Sequence, residues 1–337
     1  MSKLAFQFQQ TPSWMGDVVL ASHSQWALLI EPPEKDPFDG KVKVLGRQCF
    51  PGGDSEEERY VLRGAAGADA YFERLHGAYN ARRYVTVWQG PNEPWVGERT
   101  QRVSLADFTW RWAELMHNDS FRVGTGAFSV GRPDYLESHI AELLPACLAG
   151  DYVIVHEYSA PRMQSRAGDH CLRYRWLYDA MRELVNREPP PLLIGECGID
   201  GGVAPVHRAR TGWKTFTTSF ESYLQQLIWY DQQIQKDDYV VAAFPFVCGA
   251  RQDWRDFDID EGNARLLAAY MAGGTGEGGW PLPEQEQGDL PKLLVKLRWW
   301  FEEMQRMYES GELERANRIR LSMIKLLYRI EGMAKEI

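Results

Sequence analysis

The sequence predicts an α/β protein of the (β/α)8, or TIM-barrel, class with a C-terminal helical hairpin. Three observations lead there. Eight short apolar runs recur along residues 1–271, amphipathic stretches separate most of them, and the runs are near-continuous rather than alternating. Runs of that kind suit parallel strands covered on both faces. Strands that alternate with helices form a parallel sheet, and eight such units in a chain segment of this length fit a closed barrel better than an open doubly wound sheet.

The expected strands are Ala5–Gln9, Trp26–Ile30, Val42–Gln48, Tyr84–Gln89, Phe121–Phe128, Tyr152–Tyr158, Leu192–Glu196 and Tyr239–Val247. Helical periodicity marks Ala68–Ala81 before the fourth strand and Leu105–His117 before the fifth. It marks Asp134–Leu148, Arg173–Asn186 and Phe220–Gln235 before the sixth, seventh and eighth. The first connection, Pro12–Gln25, is only moderately helical. The long segments 50–67 and 198–216 are expected to wall one end of the barrel mouth.

After Tyr270 the composition changes. Residues 272–291 read as a Gly- and Pro-rich linker. Residues 292–337 then place apolar side chains at helical spacing in two halves: Leu293, Leu297, Trp300, Met304 and Met307, then Ile319, Met323, Leu326, Leu327 and Ile330. This pattern predicts a helical hairpin. Its apolar faces suit packing on the barrel, dimerisation or docking of a protein partner.

The chain carries a net charge of −9 and no basic stripe, which argues against nucleic-acid binding. No apolar stretch reaches the ~20 residues of a membrane helix. The N-terminal MSKLAFQFQQTPSW lacks the apolar core of a signal peptide. Five cysteines with no CxxC pair read as free thiols. A cytoplasmic protein is expected, with a secreted form stripped of its leader as the alternative.

The fourth strand ends in Trp88-Gln89-Gly90-Pro91-Asn92-Glu93-Pro94-Trp95, at the edge where barrel active sites gather. Taken alone, Asn-Glu-Pro is as consistent with a solvated turn. The seventh strand, however, reads Leu192-Leu193-Ile194-Gly195-Glu196, an apolar run that ends in a carboxylate. Strands four and seven lie across the barrel mouth from each other, so Glu93 and Glu196 can face one another. Two facing carboxyl groups are what glycoside hydrolysis needs. One gives a proton to the leaving oxygen and the other, ionised, attacks the anomeric carbon; a separation of about 5–5.5 Å goes with retention and about 6.5–9.5 Å with inversion. An ionised Glu196 is expected to raise the pKa of its neighbour by like-charge repulsion. The abundant aromatics (13 Trp, 15 Tyr and 14 Phe) fit either a well-filled core or a cleft in which flat rings stack on sugar C–H faces.

On these segments the chain resembles clan A of the glycoside hydrolases, the group that includes many cellulases, mannanases and β-galactosidases. The resemblance implies a retaining enzyme with Glu93 as acid/base, Glu196 as nucleophile, and Asn92 bonded to the sugar 2-hydroxyl. His156-Glu157-Tyr158 matches the His-x-Tyr pattern of many members. Alternate strand residues share a face, so His156 and Tyr158 both point to the site and Glu157 points away. The resemblance implies that one of the pair, Tyr158 in preference, bonds the nucleophile; the other reading of His156 is a core residue bonded to backbone. Arg47, near the end of the third strand, either sits beside Glu196 and lowers its pKa or makes a structural ion pair. Trp88 and Trp95 flank the acid/base, Trp88 as the better core candidate and Trp95 as a subsite wall. Many members end the eighth strand with a Trp that floors the sugar subsite. This chain instead has Ala243-Phe244-Pro245-Phe246-Val247-Cys248, with Phe246 or Trp254 as the substitute.

The expected function is therefore hydrolysis of β-linked oligo- or polysaccharide by double displacement, with a carbohydrate substrate and neither a cofactor nor a metal. Three readings compete with it. One is a non-catalytic carbohydrate-binding or scaffold protein on a glycosidase-like barrel. A second is an interaction module centred on the tail. The third, a metal-dependent hydrolase, is disfavoured because no HxH pair or dense ligand cluster stands at the strand ends.

Overall fold

A computed structural model describes residues 1–273. The hairpin expected at 292–337, and all of the 272–291 linker beyond residue 273, lie outside the described residues. Eight strands follow in chain order: β1 (Phe6–Phe8), β2 (Trp26–Ile30), β3 (Lys43–Arg47), β4 (Val87–Gln89), β5 (Val123–Phe128), β6 (Tyr152–Ser159), β7 (Leu192–Ile199) and β8 (Val240–Pro245). Each pairs in parallel with the next. Backbone bonds then join β8 to β1. Ala5 N–H donates to the Ala243 carbonyl at 2.8 Å, Ala243 N–H to that of Lys3 at 2.9 Å, and Cys248 N–H to that of Gln7 at 2.8 Å. The expected (β/α)8 barrel is thus nearly closed, with isolated bridges from Leu4 to Ala243 and from Phe8 to Cys248 in place of a ladder between its first and last strands.

Strand alternation sorts the apolar side chains into two cores. Ala5, Leu28, Leu45, Val87, Ile154, Leu193, Ala242 and Phe244 fill the inside of the barrel. Their neighbours in sequence, such as Phe6, Val44, Trp88, Val153 and Ile194, face outward and meet the helices. Burial on both faces explains why these strands read as continuous apolar runs.

The helices are α1 (Met15–Ala21), α2 (Asp54–Val61), α3 (Ala65–Asn80), α4 (Arg99–Asn118), α5 (Glu137–Ala149), α6 (Tyr174–Val185), α7 (Trp213–Phe216), α8 (Phe220–Ile234) and α9 (Glu261–Met271). In α4, Leu105, Phe108, Trp112 and Met116 repeat every three or four residues and are all buried, as an amphipathic helix on a sheet requires. Glu98 and Gln101 form a capping box that starts α4 ahead of its apolar stripe. Ser219 caps α8 by accepting from Ser222 N–H at 3.3 Å, and Asp260 caps α9 by accepting from Asn263 N–H at 3.0 Å. No helix among the described residues is long and apolar enough to cross a membrane. All five cysteines are unpaired.

Strict strand–helix alternation fails between β2 and β3. The described residues 31–42 contain no helix, because Pro32, Pro33 and Pro37 remove helical donors within a few positions. Tyr84 ties this loop to the barrel instead, donating its hydroxyl proton to the Pro33 carbonyl at 2.7 Å. Segment 50–67 is not a plain loop either, since it folds into α2 and the start of α3.

Glu157 joins β6 to the helical layer. It is 1% exposed and points outward. Its carboxylate accepts Leu172 N–H at 2.6 Å, Tyr174 N–H at 2.8 Å and Tyr230 O–H at 2.6 Å. Burial pushes its pKa up to about 7, while these three donors pull the other way. A Glu157→Ala change strands three buried donors and should destabilise the fold by about 3 kcal/mol. Chemical denaturation measures this, and a loss below about 0.5 kcal/mol would show that the donors find other partners.

Candidate active site

The C-terminal ends of β3, β4, β6, β7 and β8 bring the polar inward-facing residues together above the apolar barrel core. Glu196 gets there through an irregularity. Leu193 faces the barrel interior, so regular alternation would turn Gly195 inward and Glu196 outward. The pairing of β6 with β7 shifts by one residue between Val155 and His156, so that Val155 opposes Ile194 but His156 opposes Glu196. This bulge re-aims Glu196 into the mouth. Gly195 permits it: a Cβ there would stand 2.6 Å from Ile154 Cγ2 and 3.3 Å from His156 Nε2.

Glu93 lies just past β4 with φ of 45°, a left-handed conformation uncommon for a non-glycine residue. Its N–H donates to the Ala127 carbonyl at 3.1 Å. Ala127 is itself displaced by a bulge in β5 between Gly126 and Phe128, so a departure from regular pairing in the neighbouring strand supplies the acceptor for Glu93.

The two glutamates converge on His156. One donor atom each from Glu93, His156 and Glu196 lies within 4.8 Å of the others. His156 Nδ1 is 2.9 Å from Glu93 Oε1 and 3.6 Å from Glu196 Oε2. Tyr158 donates its hydroxyl proton to Glu196 Oε2 at 2.7 Å. The His156 side chain is fully buried, that of Glu196 is 13% exposed and that of Glu93 41%, so Glu93 is the member open to an incoming molecule. These three residues are the only such group among the described residues with the composition of a divalent-cation site.

Charge at the site is balanced locally. Burial disfavours charge on the His156 ring, but Glu196 and Glu93 outweigh it and raise its pKa. Burial likewise opposes ionisation of Glu93, yet its bond to His156, the imidazolium charge and Arg47 hold its pKa below the usual carboxylate value. This corrects the expectation that Glu196 raises the pKa of Glu93: an imidazole in direct contact outweighs a carboxylate farther off. Burial, then the charge of Glu196, drives the Tyr158 phenol well above its ordinary value, which keeps it a proton donor. Arg47 ion-pairs with Asp54 at 3.0 Å; burial opposes its charge, but Cys49, Glu57, Asp54 and, last, Glu196 hold its pKa up.

The remaining predicted residues line the surroundings. Asn92 Oδ1 accepts from Gln89 Nε2 at 3.2 Å, and its backbone N–H donates to Glu57 at 2.9 Å. Trp95 is 56% exposed, whereas Trp88 is wholly buried in the outer core. Phe246 follows β8 and packs edge-on against Tyr158, with ring centroids 6.3 Å apart. Trp254 packs edge-on against Phe246 at 5.4 Å.

Three contributors were absent from the sequence expectations. Asp200 lies just past β7; burial and the charges of Glu93 and Glu196 push its pKa up to about 6, against a bond from Gly202 N–H. Its position four residues after Glu196 was the available signal. Glu57 and Glu58 on α2 reach the β4 rim and had no sequence signal at all. A separate cavity of about 600 Å3, lined by His23, Asp36, Lys41 and Tyr84 among others, opens at the opposite, N-terminal ends of the strands and shares no residue with this cluster.

No family model matches the chain, and no curated protein does. Solved structures similar to it include a GH128 (subgroup I) endo-β-1,3-glucanase from Amycolatopsis mediterranei in complex with laminaripentaose. It is 13% identical, over 80% of this chain and 99% of that one, with a TM-score of 0.48. A GH128 (subgroup V) exo-β-1,3-glucanase from Cryptococcus neoformans is 14% identical over 81% and 99%, with a TM-score of 0.47. A glucosidase from Croceicoccus marinus is 14% identical over 81% and 68%, with a TM-score of 0.48.

The β7 bulge gives a direct test. Gly195→Ala should cost roughly 1–3 kcal/mol by overpacking against Ile154 and His156, read from urea unfolding. Stability within about 0.5 kcal/mol of the parent would mean that β7 carries no such close approach.

Proposed function

We propose that this chain is a retaining glycoside hydrolase acting on β-linked oligo- or polysaccharide, with Glu93 as acid/base and Glu196 as nucleophile. One observation carries the reading: carboxylate oxygens of Glu93 and Glu196 approach within 4.8 Å across the barrel mouth. So close an approach of one oxygen from each favours the short separation of retaining enzymes, about 5–5.5 Å between carboxyl groups, over the about 6.5–9.5 Å that leaves room for a water. The β linkage is what the resemblance to clan A implies.

The chemistry follows from which group holds the proton. The Glu93–His156 pair shares a proton between a buried ring and a half-exposed carboxyl. The glycosidic oxygen takes that proton through Glu93, because His156 is sealed from the cleft. Glu196 attacks the anomeric carbon as the leaving group departs, and Tyr158 keeps one of its oxygens oriented. A glycosyl ester on Glu196 results. Glu93, now without the proton, draws one from water, and the hydroxide so formed releases the sugar and regenerates Glu196. No cofactor enters either step. Trp95, Phe246 and Trp254 supply the aromatic surface against which a pyranose ring stacks, and Asn92 binds its 2-hydroxyl once the Gln89 contact gives way.

Glu196→Gln should abolish turnover on a panel of aryl β-glycosides while leaving the circular-dichroism spectrum intact. A 2-deoxy-2-fluoro glycoside should add one sugar mass to a peptide containing Glu196; full activity in the folded variant would refute the assignment. The pH profile offers a second check. The one-proton form of the pair is the active one, and it is lost as pH rises through the raised His156 value. The basic limb of kcat/KM should therefore lie above the ordinary imidazole value of about 6.5 and move to lower pH in His156→Asn. A limb unmoved by that change would take His156 out of the proton balance.

A further inference from the structure

α2 presents two consecutive glutamates, and both side chains turn to the β4 rim. Glu57 is 4% exposed; its Oε2 accepts Asn92 N–H at 2.9 Å and its Oε1 accepts the Tyr71 hydroxyl at 2.7 Å. Glu58 is 6% exposed, and its Oε2 accepts Trp95 N–H at 3.2 Å. Between these points the Glu93 N–H is taken by the Ala127 carbonyl, and Pro94 has no N–H to give. Every backbone donor from Asn92 to Trp95 is therefore fixed, two of them by buried carboxylates. Arg47 secures the start of α2 through Asp54.

Burying a carboxylate is expensive, and a peptide N–H at a barrel rim ordinarily bonds water or backbone at much lower cost. The strands already pair without α2, so barrel closure does not require these two bonds. What they do fix is the backbone on either side of Glu93, at a residue whose left-handed φ needs support from its surroundings.

We propose that Glu57 is a positioning residue for Glu93: its carboxylate pins the Asn92 backbone and so sets the height and direction of the acid/base side chain, while Glu58 pins the other end of the segment. The role rests on Glu93 being the acid/base. Displacement of a general acid by a fraction of an ångström is costly, but only where the leaving group needs a proton.

That dependence makes the test specific. Phenyl and 2,4-dinitrophenyl β-glycosides of the sugar cleaved by the wild type are compared in wild-type protein, Glu57→Ala and Glu57→Gln. For Glu57→Ala, kcat/KM on the phenyl glycoside should fall on the order of 100-fold. On the dinitrophenyl glycoside, which leaves without protonation, the fall should be less than about fivefold. Glu57→Gln keeps an oxygen for the Asn92 N–H and should restore the phenyl rate to within about fivefold of wild type. Hydrogen–deuterium exchange provides a readout independent of activity: the Asn92 amide should exchange at least about tenfold faster in Glu57→Ala than in wild type or Glu57→Gln. Equal losses on both substrates, or unchanged Asn92 exchange, overturn the positioning role. A wild type that cleaves no glycoside overturns the proposed activity and this role with it, and is thereby distinguished from an active wild type whose variants lose both substrates alike.

Discussion

The site depends on one extra residue in β7. Against β6, the register slips between Val155 and His156 so that Glu196, not Gly195, stands opposite His156. Without that slip the carboxylate would point into the helical layer, and Tyr158 would lose its acceptor. Gly195 makes the slip sterically feasible, since a side chain there would meet Ile154 and His156. A second bulge in β5 turns the Ala127 carbonyl toward Glu93. Both acidic side chains are thus aimed by local departures from regular pleating.

Two glutamates this close would repel in an apolar setting. The fold answers with a buried imidazole between them, a phenol on Glu196 and the Arg47 guanidinium nearby. The balance differs from simple pairwise repulsion. His156 touches Glu93 directly, so Glu93 is held more acidic than an ordinary carboxyl group while the His156 pKa is raised. A third acid, Asp200, sits at the edge of this field, and burial together with the charges of Glu93 and Glu196 raises its pKa.

Much of the fold was legible in the chain because parallel strands buried on two faces leave continuous apolar runs, and all eight such runs became strands. The five periodic helices appear within a few residues of their expected bounds, except that α4 begins earlier, at its capping box. Where the reading failed, local chemistry gave no cue or was overridden. Pro32, Pro33 and Pro37 deny a helix to the β2–β3 connection, and α2 arises in a segment that reads as a wall. The convergence of His156 and Tyr158 followed from strand alternation, and Phe246 packs between Tyr158 and Trp254.

What the sequence determined by itself was the alternation of elements and the presence of an acid just past β4 and another within β7, because both are written in local periodicity and in the residues that follow each apolar run. Tertiary structure decided the rest. The β7 bulge, the imidazole contact that lowers the Glu93 pKa, and the reach of Glu57 to the Asn92 backbone 35 positions away are settled by strand register and packing between distant segments. No window of neighbouring residues contains the partners that produce them.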